Sequence, residues 1–233
     1  MTRMMGRKWG SYFLIALIII LLPVLPAKSE ALQISADTAN STEGLGKFVA
    51  TIDYVAYSSS SARLDIAITN TSAAGNGGYI TGIAFNNPSN KITSVYNYYS
   101  LDPAFKLIGG TDYKNGIDGD PFGKLDIGAA SGADFLGGGS PGQGIPINGS
   151  GFFQFFLTGT GLTTLNELSF TKEYSEDGSK SAFFLVRFKG FNDGGSDKVP
   201  GTMDPGVPLP EPGTLLLLGL GLIGIAIVMR EMM

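Results

Sequence analysis

The sequence predicts an all-β protein, an antiparallel β-sandwich framed by two apolar terminal segments. Three observations carry this. Short runs of period-2 alternation in β-branched and aromatic residues recur through the middle of the chain, as expected of strands with one buried face. The runs are separated by Gly, Asn, Ser and Pro, which supply turn geometry. No stretch of the body carries a convincing amphipathic helical period, so sheet must pack on sheet. Strand order is left open, with jelly-roll and immunoglobulin-like arrangements both compatible.

The elements follow in order. Arg3, Arg7 and Lys8 precede an apolar run over 12–25 and the small residues Ala27 and Ser29. That is the layout of a signal peptide over 1–29, with Ala27 and Ser29 at the −3 and −1 positions for signal peptidase. Its apolar run is short for a membrane span. The body, 30–199, then offers strands at 48–55, 64–69, 79–85, 92–99, 105–108, 151–157 and 182–188. In the first, Phe48, Ala50, Ile52 and Tyr54 share a face. Brief helical turns are expected at 102–105 and 162–168. Phe152, Phe153, Phe155, Phe156, Phe183, Phe184 and Phe188 are expected in the core on two neighbouring strands. Residues 109–151, rich in Gly and Asp, read as a long surface excursion, where function is commonly placed. Residues 192–197 read as a loop leading into a Pro/Gly linker over 200–212.

Composition narrows the chemistry. The chain has no Cys and no His, which removes disulfides, thiolate zinc sites, thiol nucleophiles and His-dependent acid–base catalysis. Glu231 is the one acidic residue outside 30–212, and Arg3, Arg7, Lys8, Lys28 and Arg230 are the basic ones. Residues 30–212 therefore hold nineteen acidic against eleven basic side chains, a net −8. Such a body lacks the basic stripe that phosphate neutralisation needs, so no nucleic-acid partner is expected. No P-loop or nucleophile-elbow motif is present, and no enzymatic activity is expected.

Three weaker constellations remain. Asp118, Asp120 and Asp126 lie on a Gly-rich stretch where carboxylates two apart can converge on Ca²⁺, although the spacing departs from an EF-hand; the plain alternative is a solvated acidic loop. Tyr96, Tyr98, Tyr99, Tyr113, Phe122 and Tyr174 offer stacking faces for sugar rings, foremost Tyr96, Tyr98 and Tyr113, with Tyr96 and Tyr98 on one face if 92–99 is extended; the plain alternative is core and rim packing. A glycosidase pair would need two facing carboxylates, for which Asp65 with Glu167 or Glu173 is one arrangement among many. The triplets at Asn40, Asn70 and Asn148 match a glycosylation sequon, and the run Ser58 to Ser61 reads by itself as a solvated turn, an O-linked target only where a glycosylated family is implied.

The C-terminus carries the most specific pattern. Val207, Pro208, Pro210, Glu211 and Pro212 are followed by the apolar stretch LLLLGLGLIGIAIV and then Arg230. The prolines favour an exposed extended segment. The apolar stretch within 213–233 is just long enough for a transmembrane helix, and Arg230 would hold its far end in the cytoplasm. This tail resembles the PEP-CTERM sorting signals of bacterial exported proteins, departing from them in its end, where Glu231, Met232 and Met233 follow a single Arg. The resemblance implies recognition by exosortase, a membrane-embedded transpeptidase, and delivery to the cell surface or extracellular matrix of a Gram-negative bacterium after transient anchoring in the inner membrane. It further implies association with exopolysaccharide or biofilm, and frequent glycosylation.

Overall fold

The computed structural model describes residues 31–137 and 139–203. The expected signal peptide with Ala27 and Ser29, the sorting motif and the C-terminal helix lie outside the described residues.

Twelve strands follow one another along the body: β1 (Leu32–Ala36), β2 (Phe48–Ser58), β3 (Ser61–Asn70), β4 (Gly77–Phe85), β5 (Ile92–Ser100), β6 (Lys106–Ile108), β7 (Ile117–Asp118), β8 (Lys124–Leu125), β9 (Ile127–Ala130), β10 (Ser150–Gly159), β11 (Phe184–Phe191) and β12 (Ser196–Met203). Helical structure among the described residues is limited to short 3₁₀ turns, including Leu162–Thr164 and Glu167–Thr171. The expected turn at 102–105 is present without helix, closed by Phe105 N–H donating to Asp102 O.

The all-β, antiparallel expectation holds, but two separate sheets do not form. Ten strands join in one sheet of order β5-β10-β3-β2-β1-β12-β11-β4-β9-β6, and β7 pairs with β8 apart from it. The β1–β12 pair, with Ile34 opposite Met203, is the spine. From it two five-stranded halves curl over one another into a nearly barrel-shaped body. Phe85 of β4 meets Phe155 of β10 edge-on at 5.3 Å, and Phe48 of β2 meets Phe184 of β11 at 5.9 Å. Alternation explains which side chains enter: Phe48, Ala50, Ile52 and Tyr54 on β2, and Phe153, Phe155 and Leu157 on β10, are all buried. Phe152 and Phe156 stand on the opposite face and are only half-buried, because adjacent residues of a strand cannot share a face. β10 and β11 are not neighbours: they lie in different halves of the sheet, β10 meeting β4 and β11 meeting β2 across the core.

Residues 109–151 depart most from expectation. Ile117, Phe122, Leu125, Ile127 and Phe135 are buried, and β9 is buried along its length. Ile117, Phe122, Leu125 and Phe135 form a second apolar cluster with Ala84 and Leu185. Leu185 alternates with Phe184 and Val186, which belong to the main core. β11 is therefore covered on both faces, which accounts for its unbroken apolar start, Phe184 to Val186. Arg187 donates to Phe135 O at 2.8 Å and Lys189 to Gly137 O at 3.1 Å, pinning this cover to the strand. Burial holds both cations below their ordinary pKa.

The segment after Phe191 also differs. Asn192 to Gly195 make a tight hairpin turn, and Ser196–Met203 is a strand paired with β1 on one side and β11 on the other. The linker expected to start at residue 200 therefore begins inside the sheet. Its Asp197 is fully buried. One carboxylate oxygen accepts from Thr42 N–H, Thr42 Oγ1 and Glu43 N–H at 2.9–3.0 Å, and the other from Leu45 and Gly46 N–H at 2.9 and 3.0 Å. Five donors on one buried carboxylate fasten the loop between β1 and β2 to β12.

Candidate functional site

The expected carboxylate sites do not assemble. Asp118 is exposed and paired with Lys124 at 3.0 Å. Its carboxyl is held below the usual range by the Asp120 amide and then by Lys124. Asp126 is buried and accepts from Asn87 N–H at 2.7 Å and Asn115 N–H at 2.6 Å. Burial pushes its carboxyl upward against the pull of those two amides. Its oxygens hold backbone, and among the described residues no group of three carboxylates is placed to hold a metal ion. The Asp65, Glu167 and Glu173 carboxylates are likewise separately engaged, by Gln154 and Arg63, by Tyr54 N–H and by Ser89 N–H respectively.

The tyrosines are also dispersed. Tyr113 is buried. Opposite Phe156 the register of β5 slips by one residue, so that Asn97 pairs with Phe156 and Val95 with Leu157, leaving Tyr96 as the extra residue of a β-bulge. A bulge resets the alternation. Tyr96 accordingly stands outside, 58% exposed and 5.9 Å from the Phe156 ring, while Tyr98 packs inward on Phe155 at 5.2 Å. The shared face expected for Tyr96 and Tyr98 is thus corrected. Burial raises the Tyr98 phenol well above its usual value.

What the register does assemble is a mixed aromatic and polar surface on the outer face of β5, β10, β3 and β2. One row runs Tyr99–Gln154–Asp65–Asp53 and the next Asn97–Phe156–Arg63–Val55. Each row spans three inter-strand gaps, about 14 Å. Gln154 Nε2 donates to Asp65 at 3.0 Å, Arg63 Nε lies 3.0 Å from Asp65, and Arg63 Nη1 donates to the Tyr57 hydroxyl at 3.3 Å. Tyr57 and Tyr99 are 54% and 50% exposed. Planar rings flank a braced amide, carboxylate and guanidinium, a combination that can stack on one face of a ligand and bond its hydroxyls. Sequence reading weighed Tyr99 as a stacking ring but missed Phe156, Arg63 and Gln154 beside it, because only strand pairing places them together.

Two shallow clefts lie elsewhere. One of about 500 Å³ is bordered by Ile108, Gly116, Asp118, Asp134 and Phe135. The other, about 470 Å³, is bordered by Asp37, Phe122, Tyr174, Lys180 and Met203. Of the sequons, Asn70 is fully buried and its amide donates to Gly78 O and Ile145 O, which removes it as a sugar acceptor. Asn40 and Asn148 are exposed.

Fold and surface together define a Cys-free, His-free β domain whose last described strand runs on, in sequence, into a Pro-rich and then apolar tail. Residues 208–230 of that tail match the family model described as the PEP-CTERM protein-sorting motif. The tail carries that motif, which implies an exported, exosortase-sorted surface protein. No curated protein and no solved structure gives a significant match. Among the described residues no helix is long and apolar enough to cross a membrane.

Proposed function

We propose that this chain is a non-enzymatic structural component of the extracellular matrix, exported past signal peptidase, held briefly in the inner membrane of a Gram-negative cell, processed by exosortase and embedded in exopolysaccharide or biofilm. The PEP-CTERM tail at 208–230 is the observation that carries this reading. The body supports it: the carboxylates weighed as catalytic pairs or metal ligands are occupied with holding structure, and His and Cys are absent. The test is the intact mass and terminal peptides of the protein recovered from its native host. A mature chain beginning near Glu30 and ending near Pro212 is expected, with any surplus mass reporting attached sugars. A retained C-terminus at Met233 refutes sorting through the motif.

A second reading is favoured by the outer face of β5, β10, β3 and β2. In it the protein is a carbohydrate-binding, lectin-like surface protein that grips surface glycans between Tyr99, Phe156 and Tyr96, with Asp65 and Gln154 as hydrogen-bond partners. A chelator tests the calcium assistance weighed for Asp118, Asp120 and Asp126: loss of glycan binding supports it, and unchanged binding removes it. Loss of about 1–3 kcal/mol of binding to host polysaccharide in Tyr99→Ala, by the measure of a stacked ring, supports the second reading. Saturable binding that Tyr99→Ala and Phe156→Ala both leave unchanged excludes that face.

A further inference from the structure

The ten-stranded sheet is open at two edges, and they are unequal. β6 spans three residues, whereas β5 spans Ile92–Ser100, is bonded to β10 on one side and to no strand on the other among the described residues. A long free edge presents unpaired N–H and C=O groups that another strand can complete, and proteins ordinarily guard such edges with charge, proline or extreme shortness. β5 contains no charged residue and no proline. Thr93, Tyr96, Asn97 and Tyr99 along it are exposed. Its register against β10 slips twice, with Tyr96 and Thr93 as the extra residues, and 97–100 runs without a slip. Just outside the strand sit Lys91 at one end and Asp102 at the other.

We propose that the free edge of β5 binds a second copy of this chain, β5 against β5, antiparallel about a two-fold axis close to Asn97. Three features select this occupant. Antiparallel pairing sets Lys91 of each copy beside Asp102 of the other at both ends, an attraction repeated by symmetry. Parallel pairing would set Lys91 against Lys91 and Asp102 against Asp102. Pairing onto β6 would leave most of β5 unbonded, since β6 offers three residues. The exposed rings of Tyr96 and Tyr99 lie along the junction and add apolar area to the hydrogen bonds. A single strand pair is smaller than a standard interface, so the association is weak in dilute solution and builds where the protein is concentrated.

Sedimentation equilibrium of the exported protein across a wide concentration range tests this. A reversible monomer–dimer equilibrium is expected. Asn97→Lys places two like charges face to face at the axis and abolishes the dimer while leaving the monomer's circular dichroism and melting temperature unchanged. Lys91→Glu and Asp102→Lys each weaken association about three- to tenfold, and the double variant Lys91→Glu/Asp102→Lys restores it. The restoration separates a charge contact across the junction from damage to the fold, because two damaging changes would add. A monomer at every concentration overturns the proposal. So does a dimer that Asn97→Lys leaves intact, or a double variant weaker than either single one. None of these results bears on processing of the tail, which the terminal peptides decide separately.

Discussion

Replacing Asp197 by Asn removes one charge and reverses one set of hydrogen-bond polarity at a fully buried point. The amide oxygen, kept on the side of Thr42 and Glu43, retains three donors. The amide nitrogen then faces the N–H groups of Leu45 and Gly46, which approach the native carboxylate at 2.9 and 3.0 Å. Two charge-assisted bonds are lost and two donors are left opposed to a third. At about 1.5–3 kcal/mol for each bond to a charged group, the expected loss is ~3–6 kcal/mol. Urea unfolding of the exported protein followed by circular dichroism should show a midpoint lowered by roughly 2 M for a domain of this size. Thr42→Val should cost about 1–2 kcal/mol in the native background. It should cost distinctly less in the Asp197→Asn background, since Thr42 Oγ1 donates to Asp197 and accepts from Lys198 N–H at 2.9 Å. Asp193→Asn, at an exposed turn where the carboxylate accepts from Gly195 N–H, is the control and should change little. If Asp197→Asn stays within about 0.5 kcal/mol of native, the five-donor clamp does not stabilise the body and the reasoning fails.

The other predictions concern burial and close approach. Burial, followed by the neighbouring Glu167 charge, pushes the Tyr54 phenol up from 10.0 to about 12. Because the folded pKa lies above the unfolded one, the contribution is fully present below pH 10 and is lost as pH rises through 12. That amounts to ~2–3 kcal/mol over the window. Melting temperatures between pH 9 and 12 should fall accordingly, and Tyr54→Phe should remove that part of the fall. Gly123, at φ +79°, carries its Cα where an added Cβ would overlap the Glu176 carbonyl oxygen and the Gly178 nitrogen, both backbone. Gly123→Ala should therefore cost more than about 3 kcal/mol in chemical unfolding, against a small effect for Gly142→Ala, where nothing lies within reach. Glu211→Ala in the sorting motif should leave the tail attached, read as an unshortened C-terminal peptide in the mass spectrum.

Legibility in the sequence followed the period-2 rule and stopped where that rule stops. β2, β3 and β10 each keep one clean apolar phase, β4, β5 and β11 are rich in β-branched and aromatic residues, and all six were read within a few residues of their ends. β9 escaped because Ile127, Gly128, Ala129 and Ala130 are buried on both faces, so no alternation is required of them. β12 escaped because Asp197, Pro200 and Gly201 argue against a central strand. The fold answers each objection: Asp197 is sated by the loop before β2, the Pro200 carbonyl accepts from Asp37, and at Gly201 any Cβ would strike Ile34 and Phe184. The bulge at Tyr96 was equally invisible, since an extra residue shows only against its partner strand. The sorting motif, by contrast, is linear and was readable from Val207, Pro208, Pro210, Glu211 and Pro212 with the apolar stretch that follows them.

This split between linear and assembled information bears on how the tail and the body can serve one protein. A sorting enzyme reads a contiguous segment, so the address is carried by sequence, after the last described strand. Every backbone ladder described here closes within 31–203, and the matched motif begins at 208. Cutting near Pro212 therefore breaks none of the sheet hydrogen bonds of the described residues. β12, the last described strand, pairs with β1 over 201–203 and with β11 over 196–200 and is clamped through Asp197, so a pull on the tail meets the β1 ladder first and then the β11 ladder and the clamp. A free edge strand in that place would open under the same pull. The free edge lies instead at β5, the outermost strand of the half across the spine from β12, where pairing with another chain and release of the tail do not compete.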